Sequence, residues 1–446
     1  MARPGEDSST TANAVGKPVI IARSDHIISR ANISKNAVKV LYRLKDAGYE
    51  AYLVGGGVRD LLLGREPKDF DVATNALPEE VKKVFNNCRL IGRRFRLAHV
   101  HFGREIIEVA TFRSLSNDDS NGDRQIENGR ILRDNVYGAI DEDAQRRDFT
   151  INALYYNIED FSVVDYAGGM VDLQNGVLRL LGDPEQRYRE DPVRMLRAVR
   201  FAGKLGFIID PSCEKSLPEL APLLAEVPAS RLFEEVLKLF MGGAALDTFE
   251  KLRHYNLFGQ LFPSTDEALS HEDHEFPITF VNRGLKNTDT RLQARQPVTP
   301  AFLFAVLLWE PVRRRAEQYE AEGLYPIQAL QEASTEILSA QAQRISIPKR
   351  FSYPMRDIWR LQPRFFNRSG KRPQRLMTHP RFRAAYDFFQ LRAESGEVDQ
   401  ELADWWGRIQ QEGEQGQPQV SDQPKPGRNR RRRRRKPKQS PTAGNE

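Results

Sequence analysis

Only two cysteines occur in the 446 residues, Cys88 and Cys213, and they lie far apart in the chain. Two such thiols are the pattern of buried, reduced residues, and neither is a good candidate nucleophile. No apolar run approaches the length needed to span a bilayer, and the N-terminal stretch MARPGEDSSTTANAVGK has no apolar signal core. The expected compartment is therefore the cytoplasm, with no membrane span. Acid is missing from residues 425–438, KPGRNRRRRRRKPK, which hold ten Lys or Arg. Setting those ten aside leaves 57 basic against 61 acidic residues, so the rest carries −4 while the whole chain carries +6. The tail also lacks apolar side chains, so it cannot fold alone and suits a polyanion; the alternative is a merely solubilising tail.

What is present is a soluble composition, 40% hydrophobic and 29% charged, in a chain long enough for two or three domains with real cores. The stretch from Tyr52 to Asp71 organises the rest. Gly55, Gly56 and Gly57 follow an apolar run and precede Val58-Arg59-Asp60-Leu61-Leu62-Leu63, which reads as strand, tight turn and helix start whose bare backbone N–H groups can face an anion. The pattern is neither the dinucleotide G-x-G-x-x-G nor the P-loop. Lys68-Asp69-Phe70-Asp71-Val72 follows; as a strand it would put the Asp69 and Asp71 carboxylates on one face and Phe70 on the other. Hard divalent cations take oxygen ligands and share them with substrate phosphates, so a glycine seat beside Asp-x-Asp reads as metal-assisted phosphoryl or nucleotidyl transfer.

Around this centre the coarse organisation is legible. Residues 1–18 are polar and expected to be disordered. Ser34 caps a helix in which Ala37, Val40, Leu41 and Leu44 recur at helical spacing until Gly48. A second helix runs from Pro78 to about Asn87, and Leu97–Phe102 and Glu105–Thr111 form a hairpin about Gly103-Arg104. Glu108 shares a strand face with Ile106 and Ala110 and needs a partner. The residues leave two readings open, a third carboxylate of the metal site or an edge glutamate paired with Arg94 or Arg96. His99 and His101 alternate along the first strand of the hairpin without further ligands at metal spacing, which makes them sheet residues or RNA contacts. Ser114–Gly129 is expected to be a mobile loop.

Arg146-Arg147-Asp148-Phe149-Thr150-Ile151-Asn152-Ala153-Leu154 reads as a helix start with Asp148 as its cap, and further strands close an α/β head of residues 19–182. From Tyr188 the pattern is helical, with Asp191 as N-cap and Pro192 at the first position. Arg194, Arg197 and Arg200 recur every three residues without interleaved acids, a stripe that seeks phosphates or base edges unless it is simply solvated. A neck of residues 183–260 leads to a helical body of residues 261–410, with segments such as Arg231–Phe240 capped by Ser230, Asp247–Leu257, Pro300–Trp309 and Pro380–Arg392. His271 and His274 in HEDH lack the companions of a metal site. Lys349-Arg350-Phe351, Trp359-Arg360, Arg364-Phe365-Phe366 and Arg381-Phe382-Arg383 interleave bases with aromatics; these would bind single-stranded RNA, although most such aromatics are core. Residues 411–446 are a linker and the basic tail, expected to be disordered.

LVGGGVRD followed by DFD resembles the head of the class II nucleotidyltransferases, the family of bacterial poly(A) polymerases and CCA-adding enzymes. RRDFTINAL is similar to the family's second motif, and Glu190-Asp191-x-x-Arg194 to its nucleotide-selecting motif. The resemblance covers about residues 50–260 with motifs in the family's order, and is weaker in the body. It implies an α/β head with a mixed sheet and flanking helices, an all-α neck and body, and attack of an RNA 3′-hydroxyl on the α-phosphorus of ATP. It further implies two magnesium ions on Asp69 and Asp71 with Glu108 completing the first, manganese suiting the same ligands. Gly55, Gly56, Arg59 and Arg147 would hold the triphosphate. Asp148 would address the ribose and the metal-bound nucleotide, which makes it a catalytic candidate beside Asp69, Asp71 and Glu108; Arg146 and Asn152 are neighbours. Asp191 and Arg194 would read the adenine, with Arg197 and Arg200 in the same nucleotide site.

Three features incline this reading to the poly(A) branch over the CCA-adding one: Leu90-Ile91-Gly92-Arg93-Arg94-Phe95-Arg96-Leu97-Ala98-His99-Val100, the segment from Ile347-Pro348-Lys349-Arg350 to Trp359, and the polyarginine tail. In that tail Arg428, Arg430, Arg431, Arg432, Arg433, Arg434, Arg435, Lys436 and Lys438 would hold varied RNA 3′ ends, with RNA-decay proteins as further partners. A reading from another class is a non-catalytic RNA-binding protein on a decayed transferase head. The intact carboxylates speak against it.

Overall fold

The computed structural model describes residues 17–92, 96–115, 124–127, 130–270 and 276–415. The described residues up to 398 form one compact unit, and those from 399 belong to a second, whose described element is the helix Gln400–Gln415.

The head is built on an eight-stranded mixed sheet. In chain order its strands are β1 (Val19–Ile21), β2 (Ala51–Val54), β3 (Asp71–Thr74), β4 (Cys88–Ile91), β5 (Leu97–Phe102) and β6 (Glu105–Thr111). A separate hairpin, β7 (Arg124–Glu127) with β8 (Arg130–Asp134), is followed by β9 (Leu154–Asn157) and β10 (Val163–Asp165), which rejoin the sheet. The spatial order is β1-β10-β9-β2-β3-β6-β5-β4, antiparallel throughout except for the parallel pair β3–β6. Parallel neighbours need a crossover, and here it is made of α3 (Pro78–Val84), β4 and β5.

Period-two alternation gives the sheet two unlike faces. Leu53, Val72, Ile107 and Val109 belong to the main core, against which α1 (Lys35–Asp46) buries Ala37, Val40, Leu41 and Leu44. Each large side chain so buried contributes roughly 1.5–3 kcal/mol. As expected, Ser34 caps α1, its hydroxyl accepting from the Asn36 N–H at 3.2 Å. The opposite face holds a small cluster of Val54, Ala73, Phe112, Ala144, Tyr155 and Val164, and it is toward this face that Asp71 and Glu108 project. Ile106, on the face of Glu108, is 44% exposed, so the β6 end of that face is open to solvent.

The head continues through α2 (Gly56–Leu62), α4 (Ile140–Arg146) and α5 (Gly169–Asn175), and α6 (Pro184–Glu190) and α7 (Val193–Leu205) follow it. The short strand β11 (Val177–Leu178) pairs in parallel with β12 (Ile208–Ile209) and ties head to neck. Helices then follow one another: α8 (Pro211–Lys215), α9 (Leu217–Leu220), α10 (Ala229–Phe240), α11 (Ala245–His254), α12 (Phe258–Leu261), α13 (Pro263–Ser270) and α14 (Phe276–Gln293). The body adds α15 (Pro300–Leu307), α16 (Trp309–Ala321), α17 (Pro326–Ala342), α18 (Lys349–Leu361), α19 (Arg372–Met377) and α20 (Phe382–Glu394). One apolar cluster runs from Ile21 in the head to Leu391 in α20. Among the described residues no helix is long and apolar enough to cross a membrane.

Several expectations are corrected. The 146–154 segment is not a helix start: α4 ends at Arg146, Thr150–Asn152 make a single 3-10 turn, and β9 follows. Besides the bonds of that turn, the backbone there pairs with residues 179–181, Thr150 N–H to Arg179 C=O at 3.0 Å and Leu181 N–H to Asp148 C=O at 3.1 Å. β3 begins at Asp71, so Asp69 lies in the segment leading into it. The loop expected over 114–129 contains the strand β7. Asp191 ends α6, and Pro192 is the N-cap of α7, because Asp183 and Pro184 start a further helix before it. α10 is capped at Pro228, not Ser230, and the helix expected over 300–309 breaks at Leu308. Trp359, Phe365 and Phe382 are core side chains. Arg94, His271, His274 and the 425–438 tail lie outside the described residues.

Candidate active site

The glycine turn is where the sheet meets the cleft. Gly55 follows β2 with φ +73°, a conformation that side chains with a Cβ rarely adopt. A Cβ placed on it would stand 3.7 Å from Arg147 Nη1 and 4.0 Å from Asp71 Oδ2. Gly57 lies as close to the chain opposite, its would-be Cβ 3.3 Å from the Asp69 carbonyl oxygen. The turn thus brings the backbone of α2 against both ends of the Asp-x-Asp pair.

Asp71 opens β3, and the parallel register sets it directly beside Glu108 of β6. Burial, then the Glu108 carboxylate, then Asp69 push the Asp71 carboxyl up to about 7, while Arg147 opposes the rise. Glu108 also meets His99 across the β5–β6 pair, at 3.3 Å from His99 Nε2. Neither of its expected arginine partners is seen: Arg96 pairs with Glu79, and Arg94 lies outside the described residues. Among the described residues no three His, Cys, Asp or Glu side chains converge closely enough to hold a metal unaided. Closely set oxygen donors whose mutual repulsion raises a pKa nevertheless fit a hard divalent cation that completes its shell with phosphate oxygens.

Opposite stand the basic residues. Arg147 donates through Nε and Nη2 to Asp143 Oδ2, at 3.2 and 2.9 Å, and through Nε to the Tyr155 hydroxyl at 2.9 Å. Its Nη1 is the one turned toward Gly55. Asp148 is buried between head and neck, accepting from Phe149 N–H, Asn152 Nδ2 and Arg197 Nε at 2.9, 3.1 and 2.7 Å. The Arg197 guanidinium and these donors hold its carboxyl far below the usual range despite burial. Asn152 Oδ1 in turn accepts from Arg59 Nη1 at 2.7 Å, and Arg59 donates to Asp60 Oδ1 at 2.9 and 2.6 Å. Asp60, Arg59, Asn152, Asp148 and Arg197 form one hydrogen-bonded chain across the cleft floor.

Arg59, Arg197 and Arg200 all lie on the Phe201 ring, at 4.9, 5.3 and 4.3 Å from its centroid. The Arg200 Nε is buried with no acceptor among the described residues, and burial followed by Arg197 pushes its pKa down to about 10. Lys68 and Lys204 also line this cleft of about 550 Å³, together with Gly55, Gly56, Asp69 and Asp71.

Asp191 and Arg194 are not among the residues lining that cleft, nor are they ion-paired to each other. Asp191 is held by Arg231 in a bidentate pair at 2.8 and 2.7 Å, and Arg194 donates to Glu190 Oε2 at 2.9 Å and to the Arg187 carbonyl at 2.7 Å. Sequence reasoning missed Asp143, Tyr155, Phe201 and Arg231. The Arg200-Phe201 dipeptide carried a signal for Phe201; no local pattern marked Arg231, which meets Asp191 only through the packing of α10 against α7.

Three family descriptions match successive stretches: "Poly A polymerase head domain" over residues 51–179, "Probable RNA and SrmB- binding site of polymerase A" over 206–269, and "Polymerase A arginine-rich C-terminus" over 322–440. The poly(A) polymerase I of Salmonella typhi is 53% identical over 413 residues, covering 91% of this chain and 89% of the relative. A CCA-adding enzyme of Lactobacillus helveticus is 40% identical over 214 residues, 48% of this chain and 52% of the relative. The fold is shared with a tRNA nucleotidyltransferase crystallised with a primer tRNA and an incoming ATP analogue, at TM-score 0.56 and 23% identity over 84% of this chain and 99% of that one. With a match at that identity over nine-tenths of both chains, and head and arginine-rich regions in the same order, this chain belongs to the bacterial poly(A) polymerase I family of nucleotidyltransferases.

Proposed function

We propose that the protein adds adenylate residues from ATP to RNA 3′ ends without a template and releases pyrophosphate. The observation that carries the chemistry is the coupled carboxylate group at Asp71 facing the arginines of α7 across one cleft. The choice of branch rests on the extent of the match, 91% of the chain with a poly(A) polymerase against 48% with a CCA-adding enzyme.

Asp69 and Asp71, with Glu108 beside them, would hold the divalent cation, magnesium or manganese, that lowers the pKa of the attacking hydroxyl and neutralises charge on the phosphates. Arg147 Nη1, Lys68, Arg200 and Lys204 are donors placed to bind triphosphate oxygens. Arg59, whose guanidinium is engaged by Asp60 and Asn152, orients Asn152 and contributes field. Asp148, kept ionised and fixed by Arg197, accepts a ribose hydroxyl. Asp191, held in place by Arg231, accepts from the adenine amino group, and Arg194 donates to the neighbouring ring nitrogen. Cytosine offers the same donor and acceptor order, so the shape of the base site must reject it.

RNA 3′ ends reach the cleft with help from the basic tail, and residues 206–269 are a surface for RNA, a reading supported by the description that matches them; RNA-decay proteins are further partners in this reading. We place the reaction in the cytoplasm. The test is extension of a labelled single-stranded RNA with magnesium and each nucleotide separately. Long ladders with ATP alone support the proposal; brief extension that requires CTP and prefers tRNA would replace it with CCA addition, and no extension would favour a binding protein.

A further inference from the structure

Away from the catalytic cleft, α17 and α18 enclose a groove of about 380 Å³. This is the scale of a small-ligand site rather than of a protein docking face. α18 turns Met355, Ile358, Trp359 and Leu361 into the core, and Trp359 is anchored by its Nε1 donating to the Ala305 carbonyl at 3.1 Å. The adjoining stripe, Tyr353, Arg356, Asp357 and Arg360, lines the groove, facing Ser334 and Thr335 of α17.

Two observations there are unexplained by folding. The Nε atoms of both Arg356 and Arg360 are shut away from solvent without an acceptor among the described residues. Orphaned donors of this kind are few in native proteins and call for a cause. Arg360 is balanced by Asp357, at 2.9 Å, but no carboxylate among the described residues lies within ion-pair distance of Arg356, so the groove keeps one uncompensated guanidinium. Beside it Tyr353 is 57% exposed, an aromatic face offered to solvent. The Ser334 and Thr335 hydroxyls both donate to the Gln331 carbonyl, at 2.9 Å each, so toward the groove they present acceptors.

A cation, an open aromatic face and acceptors suited to an exocyclic amine are the three groups that recognise one nucleotide of a single strand. Resting on the reading that RNA is this protein's partner, we propose that the α17–α18 groove holds one nucleotide of the RNA strand, its phosphate on Arg356 and its base on Tyr353.

The test measures binding of a long labelled oligoadenylate to the full chain without ATP, as a function of salt. Tyr353→Ala is expected to weaken binding about tenfold with an unchanged salt slope, and Tyr353→Phe to bind as the wild type does. Arg356→Gln is expected to weaken binding and to lower the salt slope by about 0.7, one released counterion. Unchanged affinity in Tyr353→Ala and Arg356→Gln would overturn the proposal, as would loss of free AMP binding or of a protein partner with RNA affinity intact. A wild-type protein that extends RNA while these variants bind normally sinks this groove alone; one that neither extends nor binds RNA sinks the reading beneath it.

Discussion

Arg197 of α7 donates through Nε to Asp148 Oδ2 at 2.7 Å, joining the Arg146-Arg147-Asp148 segment of the head to the long helix that follows it. The Asp148 side chain is mostly buried and that of Arg197 is 31% exposed, and the pairing draws the Asp148 carboxyl down while holding the guanidinium charged. The fold and the site therefore share one ion pair.

Replacing Arg197 with Met leaves a buried carboxylate without its cation, which costs about 3 kcal/mol. A group with a depressed pKa contributes stability above its unfolded value near 3.8, lost only as pH falls through the lower folded value. The pair is thus intact over the whole neutral range. Denaturant melts should show the R197M loss at any pH from about 5 to 8, and Asp148→Asn added to it should recover stability but not adenylation. A loss no larger in R197M than in a surface variant would contradict the pairing.

Asp71→Asn removes a carboxylate whose folded pKa, about 7, stands above its ordinary 3.8. Here the folded chain holds the proton more tightly, so stability falls as pH rises from about 4 and the full cost is present above about 7. Without divalent cation the variant should be more stable than the wild type by about 1–3 kcal/mol near pH 8, the gap closing toward pH 4. Adenylation should fall by about a thousandfold or more. Thermal melts across pH, with and without magnesium, read the first effect; a gap independent of pH would contradict it.

Phe201→Leu keeps an apolar side chain but removes the ring that gathers Arg59, Arg197 and Arg200. Each such contact is worth about 0.5–2 kcal/mol. The expected result is an ATP affinity about tenfold lower with adenosine affinity little changed, and recovery in Phe201→Tyr. Equal losses for ATP and adenosine would mark a general packing defect.

Deleting residues 425–438 removes ten cations. RNA binding should weaken and its salt dependence flatten, while addition of a single nucleotide persists. An unchanged slope in salt titrations of RNA binding would show that the tail makes no phosphate contact.

Where a feature depends on near neighbours in the chain, it was legible beforehand. Ser34 caps α1 and the Ala37, Val40, Leu41, Leu44 stripe is buried, because helix period and cap chemistry are local. The β5–β6 hairpin runs over the residues expected, since alternation and Gly103-Arg104 mark it. The 146–154 segment misled because its backbone also bonds across to residues 179–181, a partner that no local pattern names. The aromatic and basic interleaving of the body left open whether its aromatics are core or contact RNA, and Trp359, Phe365 and Phe382 prove to be core, because burial is a property of the packed neighbour.

The residue types of the site, its glycine turn, its carboxylates and the arginine stripe of α7, were determined by the sequence alone, as was the alternation of helices and strands, since these follow from side-chain chemistry and periods of two and 3.6. Only the tertiary structure decided which of those groups meet. The parallel register of β3 and β6 puts Glu108 beside Asp71, the docking of α7 on the head pairs Arg197 with Asp148, and α10 brings Arg231 to Asp191. Electrostatic coupling depends on distance and burial through space, and folding sets both.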